Sequence, residues 1–416
     1  MQPLRGTKDI LPDEILIWQH IYSQALKILT LSNYHEIRTP ILESTTLFKR
    51  SIGNGTDIVN KEMYSFKDQG LRDITLRPEG TASVARAFIS NKLEQANKIQ
   101  RLWYCGPMFR YERPQNGRQR QFHQLGIECI GSFNPMADAE VIRIAYSILK
   151  ALKCPDYQLE INSIGNTQER NNYKEALTEY LYKYKNDLDT DSLKRLQINP
   201  LRILDSKNQK TQEILCNAPL LASFLQKSSK KHFYNVCDYL TCSNIRYKIN
   251  QKLVRGLDYY NYTAFEIKTR SLGSQDTICG GGRYDSLIQQ LGGQKTPSVG
   301  WAIGLERLVL LIKNIITLKE SKPSIYLAPQ GTLAQKKIWT MISILEKNQI
   351  SFELDLNGNT FRKQLKKASK SGAKVCLLLG EDEIHNNIIT IKWLNNGSQE
   401  QLAYNNLSTL INKLKS

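Results

Sequence analysis

The chain has 416 residues, of which 41% are hydrophobic and 23% charged, so it is long enough for two or three domains with substantial cores. No run approaches the roughly 18 apolar residues that cross a bilayer, and the first residues, MQPLRGTKDI, lack the apolar region of a secretory signal. These features argue against a disordered, membrane-spanning or secreted protein. They predict a globular protein of the cytoplasm with no membrane partner.

The formal net charge of +18 is the strongest compositional signal. A surplus of Lys and Arg favours a polyanionic partner, because each phosphate that is neutralised releases counterions. Lys-rich and Asn-rich sequences also arise from genome composition, and a run such as YLYKYKNDLD is also typical of a solvated helix face. Charge alone therefore does not decide between a nucleic-acid partner and a basic surface without a specific function.

The eight cysteines are scattered, with no CxxC pair and no disulfide-framework spacing, which predicts reduced and mostly buried thiols. The nearest approach to a metal site is His232, Cys237 and Cys242, whose spacing matches no zinc module. We therefore predict no metal site built from Cys or His.

The first predicted element is a helix over 14–31, where apolar side chains recur at helical spacing; the stretch YHEIRTPILEST then changes to a short β pattern. Further on, two runs of alternating apolar residues, RLWYCGPMFRYE and RQRQFHQLGIECIGS, flank RPQNG. Proline and Asn-Gly are loop signals between antiparallel strands. This region predicts a β-hairpin with a long basic loop.

Residues from about 166 to 245 are rich in Lys, Asn and Gln and have helical periodicity, which predicts an inserted helical module. A second change falls at LKESKPS, after which IYLAP, ISFELDL, FRKQLKKASKSGA and KVCLLLG alternate between strand and helix patterns. The predicted division is a catalytic domain over 1–322, containing the insertion, and a compact α/β domain over 323–416.

The sequence has no GxxxxGK[ST] motif and no GxGxxG motif after a strand, so a glycine loop that cradles phosphate is not indicated. If the protein handles a nucleotide, side chains must bind it. A guanidinium is always charged and can bridge two phosphate oxygens, so it suits charge that develops on a phosphate. The candidates are Arg110, Arg118, Arg255 and Arg307. Taken singly, each is more often a surface or ion-pair residue.

The acidic and amide candidates are Glu79, Gln124 and Glu128. Gln124 and Glu128 point to the same face of a strand, because side chains alternate along it. A buried carboxylate must be paired, either with a cationic ligand or with a structural arginine. The glycines of CGGGRYDSL, from 279 to 287, serve either a turn or the close approach of a ligand. Both alternatives stay open at this point.

Several stretches together resemble one family, the histidyl-tRNA synthetases, which are class II aminoacyl-tRNA synthetases. RGTKDILPDE is similar to the family's N-terminal signature, IRTPILESTTLFKRSIG to motif 1, GPMFRYERPQNGRQRQFHQLGIE to motif 2 and SVGWAIGLERLVLL to motif 3. LVRGLDYY and GGGRYD resemble the two histidine-specific motifs. The resemblance covers nearly the whole chain, in order, and is weakest over about 166–245.

The resemblance implies an α+β fold: an antiparallel class II catalytic sheet of six or seven strands flanked by helices, a helical insertion, and a C-terminal α/β anticodon-binding domain. It implies a homodimer that forms histidyl-adenylate from L-histidine and ATP with Mg²⁺. Histidine is then transferred to the 3′ end of tRNA(His). A related alternative is a histidine-binding regulatory paralogue of ATP phosphoribosyltransferase, which should lack the C-terminal domain and the ATP-binding arginines.

The resemblance also implies roles for individual residues. Arg255 would stabilise the α-phosphate during carboxylate attack, and Arg110 would bridge that phosphate and the histidine carboxylate. Tyr260 and Glu128 would bond the two imidazole nitrogens. The implied histidine-binding set is Glu79, Gly80, Thr81, Gln124, Glu128, Tyr259 and Tyr260. The implied ATP-binding set is Arg110, Glu112, Arg118, Phe122, which would stack on adenine, and Arg307.

Overall fold

The computed structural model describes residues 1–53, 56–96, 98–115, 117–272, 276–318 and 322–415. The chain divides into two compact units, Met1–Leu318 and Lys319–Ser416. Each unit has its own sheet and its own apolar core.

The helices of the first unit are α1 Pro12–Leu31, α2 Thr45–Ile52, α3 Thr81–Ser90, α4 Pro135–Ala151, α5 Thr167–Tyr182, α6 Thr190–Ile198, α7 Gln209–Cys216, α8 Lys227–Cys242, α9 Leu287–Gln290 and α10 Leu305–Ile312. Shorter helical turns are Ile58–Glu62, Leu93–Ala96, Lys185–Asp187, Pro200–Asp205, Leu221–Ser223 and Arg270–Leu272. The predicted first helix is confirmed, with an N-terminal proline and acidic residues in its first turn, both of which favour a helix start.

The strands of the first unit are β1 His35–Glu36, β2 Leu42–Ser44, β3 Tyr64–Lys67, β4 Asp73–Leu76, β5 Gln100–Phe109, β6 Gln121–Ile130, β7 Tyr157–Ser163, β8 Tyr247–Ile249, β9 Asn261–Thr269, β10 Thr277–Arg283 and β11 Ser298–Gly304. Eight of these form the main sheet, in the order β1-β5-β6-β11-β10-β9-β7-β8, while β2-β4-β3 form a small separate sheet.

The main sheet is antiparallel between β5 and β7, with a parallel strand added at each edge, β1 beside β5 and β8 beside β7. The antiparallel class II sheet implied by the resemblance is thus present, with six antiparallel strands as expected, and the two parallel edge strands bring the total to eight. The predicted hairpin is confirmed: β5 and β6 pair from Gln100–Ile130 to Phe109–Gln121.

Helices α1, α4, α8 and α10 cover one face of the main sheet and form the largest apolar core with it. The other face carries α3 and helices α5 to α7 of the predicted insertion, whose last helix, α8, packs on the first face. Helices α5 to α8 confirm the helical character of the insertion. The strand face that carries Gln124 and Glu128 lies on this second side, so this part of the insertion packs next to the candidate site.

The second unit contains helices α11 Thr332–Lys347, α12 Phe361–Ser371, α13 Glu381–His385 and α14 Leu407–Lys415, with a short turn at Tyr404–Asn406. Its strands are β12 Ile325–Pro329, β13 Phe352–Leu354, β14 Val375–Leu379, β15 Ile388–Trp393 and β16 Gln399–Ala403. The sheet order is β13-β12-β14-β15-β16, parallel over the first three strands and antiparallel over the last three. The four predicted segments are confirmed, whereas the hairpin of β15 and β16 was not anticipated.

All eight cysteines are free. Cys216 and Cys242 are exposed, Cys105 is partly buried, and the rest are buried. Burial raises the pKa of Cys129, Cys154 and Cys376 to about 12. The prediction of reduced and mostly buried thiols is confirmed for this structure.

Candidate active site

A polar cavity of about 200 Å³ opens over the middle strands of the main sheet. Its floor comes from β6, β10 and β11, and its walls come from the hairpin loop, the start of α3, the loop before β9 and the start of α10. Eleven of the thirteen residues assigned to binding or chemistry line this cavity: Glu79, Thr81, Arg110, Glu112, Arg118, Phe122, Gln124, Arg255, Tyr259, Tyr260 and Arg307. Gly80 and Glu128 are not among the residues that line it.

Three arginines gather at the hairpin end of the cavity. The Nε of Arg110 donates to the carbonyl of Pro78 at 2.8 Å, and its guanidinium lies 5.2 Å from the centre of the Phe122 ring. Arg118 pairs with Glu112 at 3.2 Å. Burial and the nearby Arg118 charge both lower the pKa of Arg307. Like charges held together in this way favour an anionic ligand that bridges them.

Arg255 stands at the opposite wall, where its guanidinium forms an ion pair with Glu266. Burial opposes its charge, but the Glu266 carboxylate raises the pKa of Arg255 above its ordinary value. The three glycines of GGGRYD lie in β10 and not in a turn, and a Cβ on Gly280 would overlap the Arg255 guanidinium. The turn alternative is therefore wrong for these glycines, and at Gly280 the group that approaches the strand closely is the Arg255 side chain.

Glu79 is fixed by the start of α3. Its carboxylate accepts hydrogen bonds from the backbone amides of Thr81 at 2.7 Å and Ala82 at 2.8 Å, as an anion at a helix N-terminus does. Burial nevertheless raises the pKa of Glu79. Gly80, which lies between Glu79 and Thr81, packs so tightly on the Tyr104 ring that a Cβ on it would overlap the ring. A carboxylate has about four acceptor positions, so Glu79 retains capacity for a cationic ligand.

Glu128 is fully buried beneath this region, and its Oε2 accepts a hydrogen bond from the Tyr284 hydroxyl. Within the described residues, Glu128 Oε1 and Gln124 Oε1 are buried and accept no hydrogen bond. Burial raises the pKa of Glu128 to about 8, although the Tyr284 hydroxyl acts in the opposite direction. A buried acceptor without a donor is costly, and a ligand N–H would satisfy it.

The aromatic wall consists of Tyr259 and Tyr260, whose ring centres are 4.6 Å apart, with Tyr284 behind Tyr259 at 5.7 Å. The Arg255 guanidinium lies 5.5 Å from the Tyr260 ring. The cavity therefore has two chemically different ends: phenols, an amide and carboxylates at the sheet end, where Arg255 also lies, and the three other arginines at the hairpin end.

Sequence reasoning missed three residues that shape the site: Tyr104, Glu266 and Tyr284. Tyr284 lies inside the quoted GGGRYD, so the motif contained a signal for it. Its position is fixed by the neighbouring Arg283, which is fully buried and paired with Asp138 on α4. Burial opposes ionisation of Asp138, but the Arg283 charge prevails and holds its pKa at about 2.

Among the described residues no group of three His, Cys, Asp or Glu side chains could hold a metal ion. Glu306, which lines the cavity, instead accepts from the backbone amide of His123 at 2.9 Å. The donors present therefore do not form a resident metal site. In the described part of the chain, no helix is long and apolar enough to cross a membrane.

Two family models match the chain: histidyl-tRNA synthetase over residues 6–308 and an anticodon binding domain over residues 324–414. The chain is 65% identical over 415 residues to the chloroplastic histidine–tRNA ligase of Gracilaria tenuistipitata var. liui, covering 100% of this chain and 99% of that protein. It is 53% identical to the histidine–tRNA ligase of Acaryochloris marina, covering 100% of this chain and 97% of that protein.

Two solved structures extend the comparison. Apo histidyl-tRNA synthetase of S. aureus superposes with a TM-score of 0.82 at 36% identity, covering 100% of both chains. A Bacillus halodurans protein described as an ATP phosphoribosyltransferase regulatory subunit/histidyl-tRNA synthetase has a TM-score of 0.67 at 22% identity, covering 91% of this chain and 98% of that one. At that identity the second likeness concerns the fold alone.

Proposed function

The chain belongs to the histidyl-tRNA synthetase family and is a histidine–tRNA ligase, and from that premise we propose how its residues divide the reaction. Histidine binds at the sheet end of the cavity, ATP binds at the hairpin end, and Arg255 acts between them. The observation that carries this proposal is the single cavity in which eleven of the assigned residues meet, with three arginines at the hairpin end and Arg255 beside Tyr260.

At the sheet end, Glu79, Thr81 and Gln124 bind the ammonium group of histidine. The unsatisfied Gln124 oxygen and the remaining acceptor positions of Glu79 support this assignment. The imidazole lies against Glu128 and Tyr260, where an N–H would satisfy the unpartnered Glu128 Oε1. An apolar side chain would leave that oxygen unpaired, which costs about 1–3 kcal/mol.

At the hairpin end, Arg110 bridges the α-phosphate and the histidine carboxylate, and Phe122 stacks on adenine. Arg118 and Arg307 bind the γ-phosphate, with Glu112 holding Arg118 in place. Arg255 stabilises the negative charge that develops on the α-phosphate as the histidine carboxylate attacks it. Fixed cations aimed at developing charge lower the barrier because they need no reorganisation during the step.

ATP use follows from the ligase family, and we propose that Mg²⁺ arrives as the ATP complex because the described carboxylates form no resident metal site. Transfer of histidine to tRNA(His) would involve the second unit, proposed as the anticodon-binding domain from residue 323 onward. Its helix α12 presents exposed basic side chains that suit a phosphate backbone, namely Arg362, Lys363, Lys366 and Lys370.

We also propose a homodimer built on the motif 1 region. The small sheet there leaves apolar side chains exposed, with Leu42 at 50% and Phe66 at 48% relative exposure. Burial of such a patch is the ordinary driving force of a dimer interface. Sedimentation of the full chain tests this, with Phe66→Glu expected to shift the protein toward monomer. The cytoplasmic location stays a prediction, since relatives include proteins named chloroplastic.

The deciding experiment is histidine-dependent exchange of labelled pyrophosphate into ATP, followed by charging of tRNA(His). We expect both activities from the full chain. A regulatory paralogue would bind histidine without exchange, and the intact arginines and the second unit argue against it. Exchange supported equally well by other amino acids would contradict the assignment of the sheet end.

A further inference from the structure

The loop from Leu253 to Tyr260 separates two cavities. On one side is the active-site cavity, and on the other is a cavity of about 250 Å³ between this loop and the helical insertion. Arg255, Leu257 and Tyr260 line both cavities, so the loop is a partition about one residue thick. We call residues 253–260 the partition loop. Any displacement of it moves the guanidinium and the phenol that face the substrates.

Arg170 of α5 holds this loop from the insertion side. Its Nη1 donates to the backbone carbonyls of Asp258 at 3.0 Å and Tyr260 at 2.5 Å. Burial lowers the pKa of Arg170, although Asp258 opposes this shift. One buried cation therefore binds two backbone groups that flank Tyr259, and hydrogen bonds from a charged donor are stronger than neutral ones.

Asp258 receives further support from the insertion and from the end of α2. The amide of Asn199 donates to its carboxylate at 3.0 Å, and its own backbone N–H donates to the carbonyl of Ile52 at 3.2 Å. Nearby, Arg202 of the insertion pairs with Asp57 at 2.8 Å. Burial raises the pKa of Asp258, so its surroundings are largely desolvated. The loop is thus fixed from two directions.

The start of α5 is rigid enough to act as an anchor. Glu169, next to Arg170, is buried, and its carboxylate accepts from the backbone amides of Asn166 at 2.7 Å and Gln226 at 2.6 Å and from the Ser229 hydroxyl at 2.7 Å. These bonds cap α5 and tie it to the start of α8. Arg170 therefore projects from a fixed point of the insertion.

From these contacts we propose that Arg170 is a positioning residue for histidine activation: it sets the place of the partition loop and hence of Arg255 and Tyr260 in the active site. This inference rests on the proposed function of those two residues. It gives the insertion a part in the first half-reaction, independent of any contact with tRNA. A shift of about 1 Å in a group that acts on the transition state can cost about 100-fold in rate.

The test compares full-length Arg170→Ala with Lys174→Ala, a change one turn along the same helix at an exposed cation that lines the same insertion-side cavity. We expect Arg170→Ala to lose at least about tenfold in kcat/KM for histidine in pyrophosphate exchange, with the KM for ATP within about twofold. Lys174→Ala should match the unchanged protein. Millimolar guanidinium chloride should restore part of the Arg170→Ala activity, because the ion can occupy the vacated space and donate to the same carbonyls.

Hydrogen–deuterium exchange without substrates supplies a readout independent of catalysis. Amides of residues 253–262 should exchange faster in Arg170→Ala and not in Lys174→Ala. If the two variants agree in kinetics and in loop exchange, the proposal is overturned. A KM for ATP raised well beyond twofold, with a lowered melting temperature and no rescue, would likewise overturn it by showing a merely structural role.

Asn199→Ala decides the matter if Arg170→Ala does not fold. This milder change removes the other side-chain contact from the insertion to Asp258, and we expect a smaller loss of the same histidine-selective kind. Agreement with Lys174→Ala would again overturn the proposal. If the unchanged protein shows no pyrophosphate exchange, the proposed function is refuted instead. Hydrogen–deuterium exchange of the partition loop would still test the role of Arg170.

Discussion

The two units place their charged residues differently. The first unit buries ionised or ionisable side chains against its main sheet, including Glu79, Glu128, Asp138 and Arg283. The sheet of the second unit is covered mainly by apolar side chains, its buried Asp355 is paired with Lys367, and several of its basic residues lie on exposed positions of α12. A buried charge is costly unless it is paired or used, so the first unit accepts a cost that the second largely avoids. Chemistry requires desolvated charge, whereas contact with a polyanion requires only a charged surface.

The largest effect should come from Arg255, whose charge faces the reacting phosphate. Arg255→His should lower the exchange rate by about 1000-fold or more and leave histidine binding within a few-fold, because the missing charge acts mainly on the transition state. Calorimetric titration with histidine and steady-state exchange measure the two quantities. Equal losses in binding and rate would show that Arg255 serves mainly to hold the pocket.

The next largest effect should come from Glu128. Glu128→Ala should raise the KM for histidine by about 100-fold and leave the KM for ATP nearly unchanged, since the arginines that face the phosphates lie at the other end of the cavity. Among the described residues its hydrogen-bond partner is a tyrosine and not an arginine, which disfavours a purely structural ion pair. Pyrophosphate exchange with each substrate varied, together with thermal unfolding, makes the measurement.

Tyr284→Phe is the matched control, because it removes the hydroxyl that holds Glu128 and keeps both the ring and the carboxylate. Its effect on histidine should be smaller than that of Glu128→Ala. Parallel losses for both substrates in Glu128→Ala, with a destabilised fold, would contradict its assignment to the imidazole.

Removal of the second unit tests the other side of the comparison. A protein ending at residue 322 should retain most of its histidine activation and lose about tenfold or more in tRNA charging, because the basic surface of α12 is gone. Exchange and charging assays on the same preparation measure both. Changing Lys363 and Lys366 to Glu in the full chain provides a milder version. Undiminished charging by the shortened protein would refute the anticodon-binding role.

The smallest effect concerns pH. The pKa of Glu128 is raised to about 8 in the fold, well above that of an unfolded chain, so the folded state retains a proton that the unfolded state releases. The corresponding stability is fully present at pH 4 and is lost as the pH rises toward 8. The melting temperature of Glu128→Gln should therefore fall less over this pH range than that of the unchanged protein. Identical pH profiles would contradict the raised pKa.

Much of this architecture could be predicted from the sequence because it depends on local patterns. Helical periodicity located α1, and alternation with Asn-Gly located the hairpin of β5 and β6. The four segments of the second unit were visible for the same reason. The edge strand β1 lies within YHEIRTPILEST, whose β pattern was predicted, whereas the other edge strand, β8, has only three residues, too short for any period to show.

The sequence predicted which residues form the site better than it predicted which residues contact each other there. Motifs named the arginines and the tyrosines because their neighbours in sequence are distinctive. The contact of Glu128 with Tyr284 joins residues 156 positions apart, and that of Asp138 with Arg283 joins residues 145 apart. Such pairs depend on strand register and on the packing of α4 against the sheet, which no single segment encodes.

The distribution of exposed cysteines allows one part of the molecule to be labelled selectively. Both exposed thiols, Cys216 at the end of α7 and Cys242 at the end of α8, belong to the insertion. The thiolate is the reactive form, and the burial of thiols such as Cys129 and Cys376 keeps them protonated and shielded. A maleimide dye should therefore attach to the insertion alone in the native protein. Fluorescence from those two sites could then follow insertion movements during each turnover without any engineered residue.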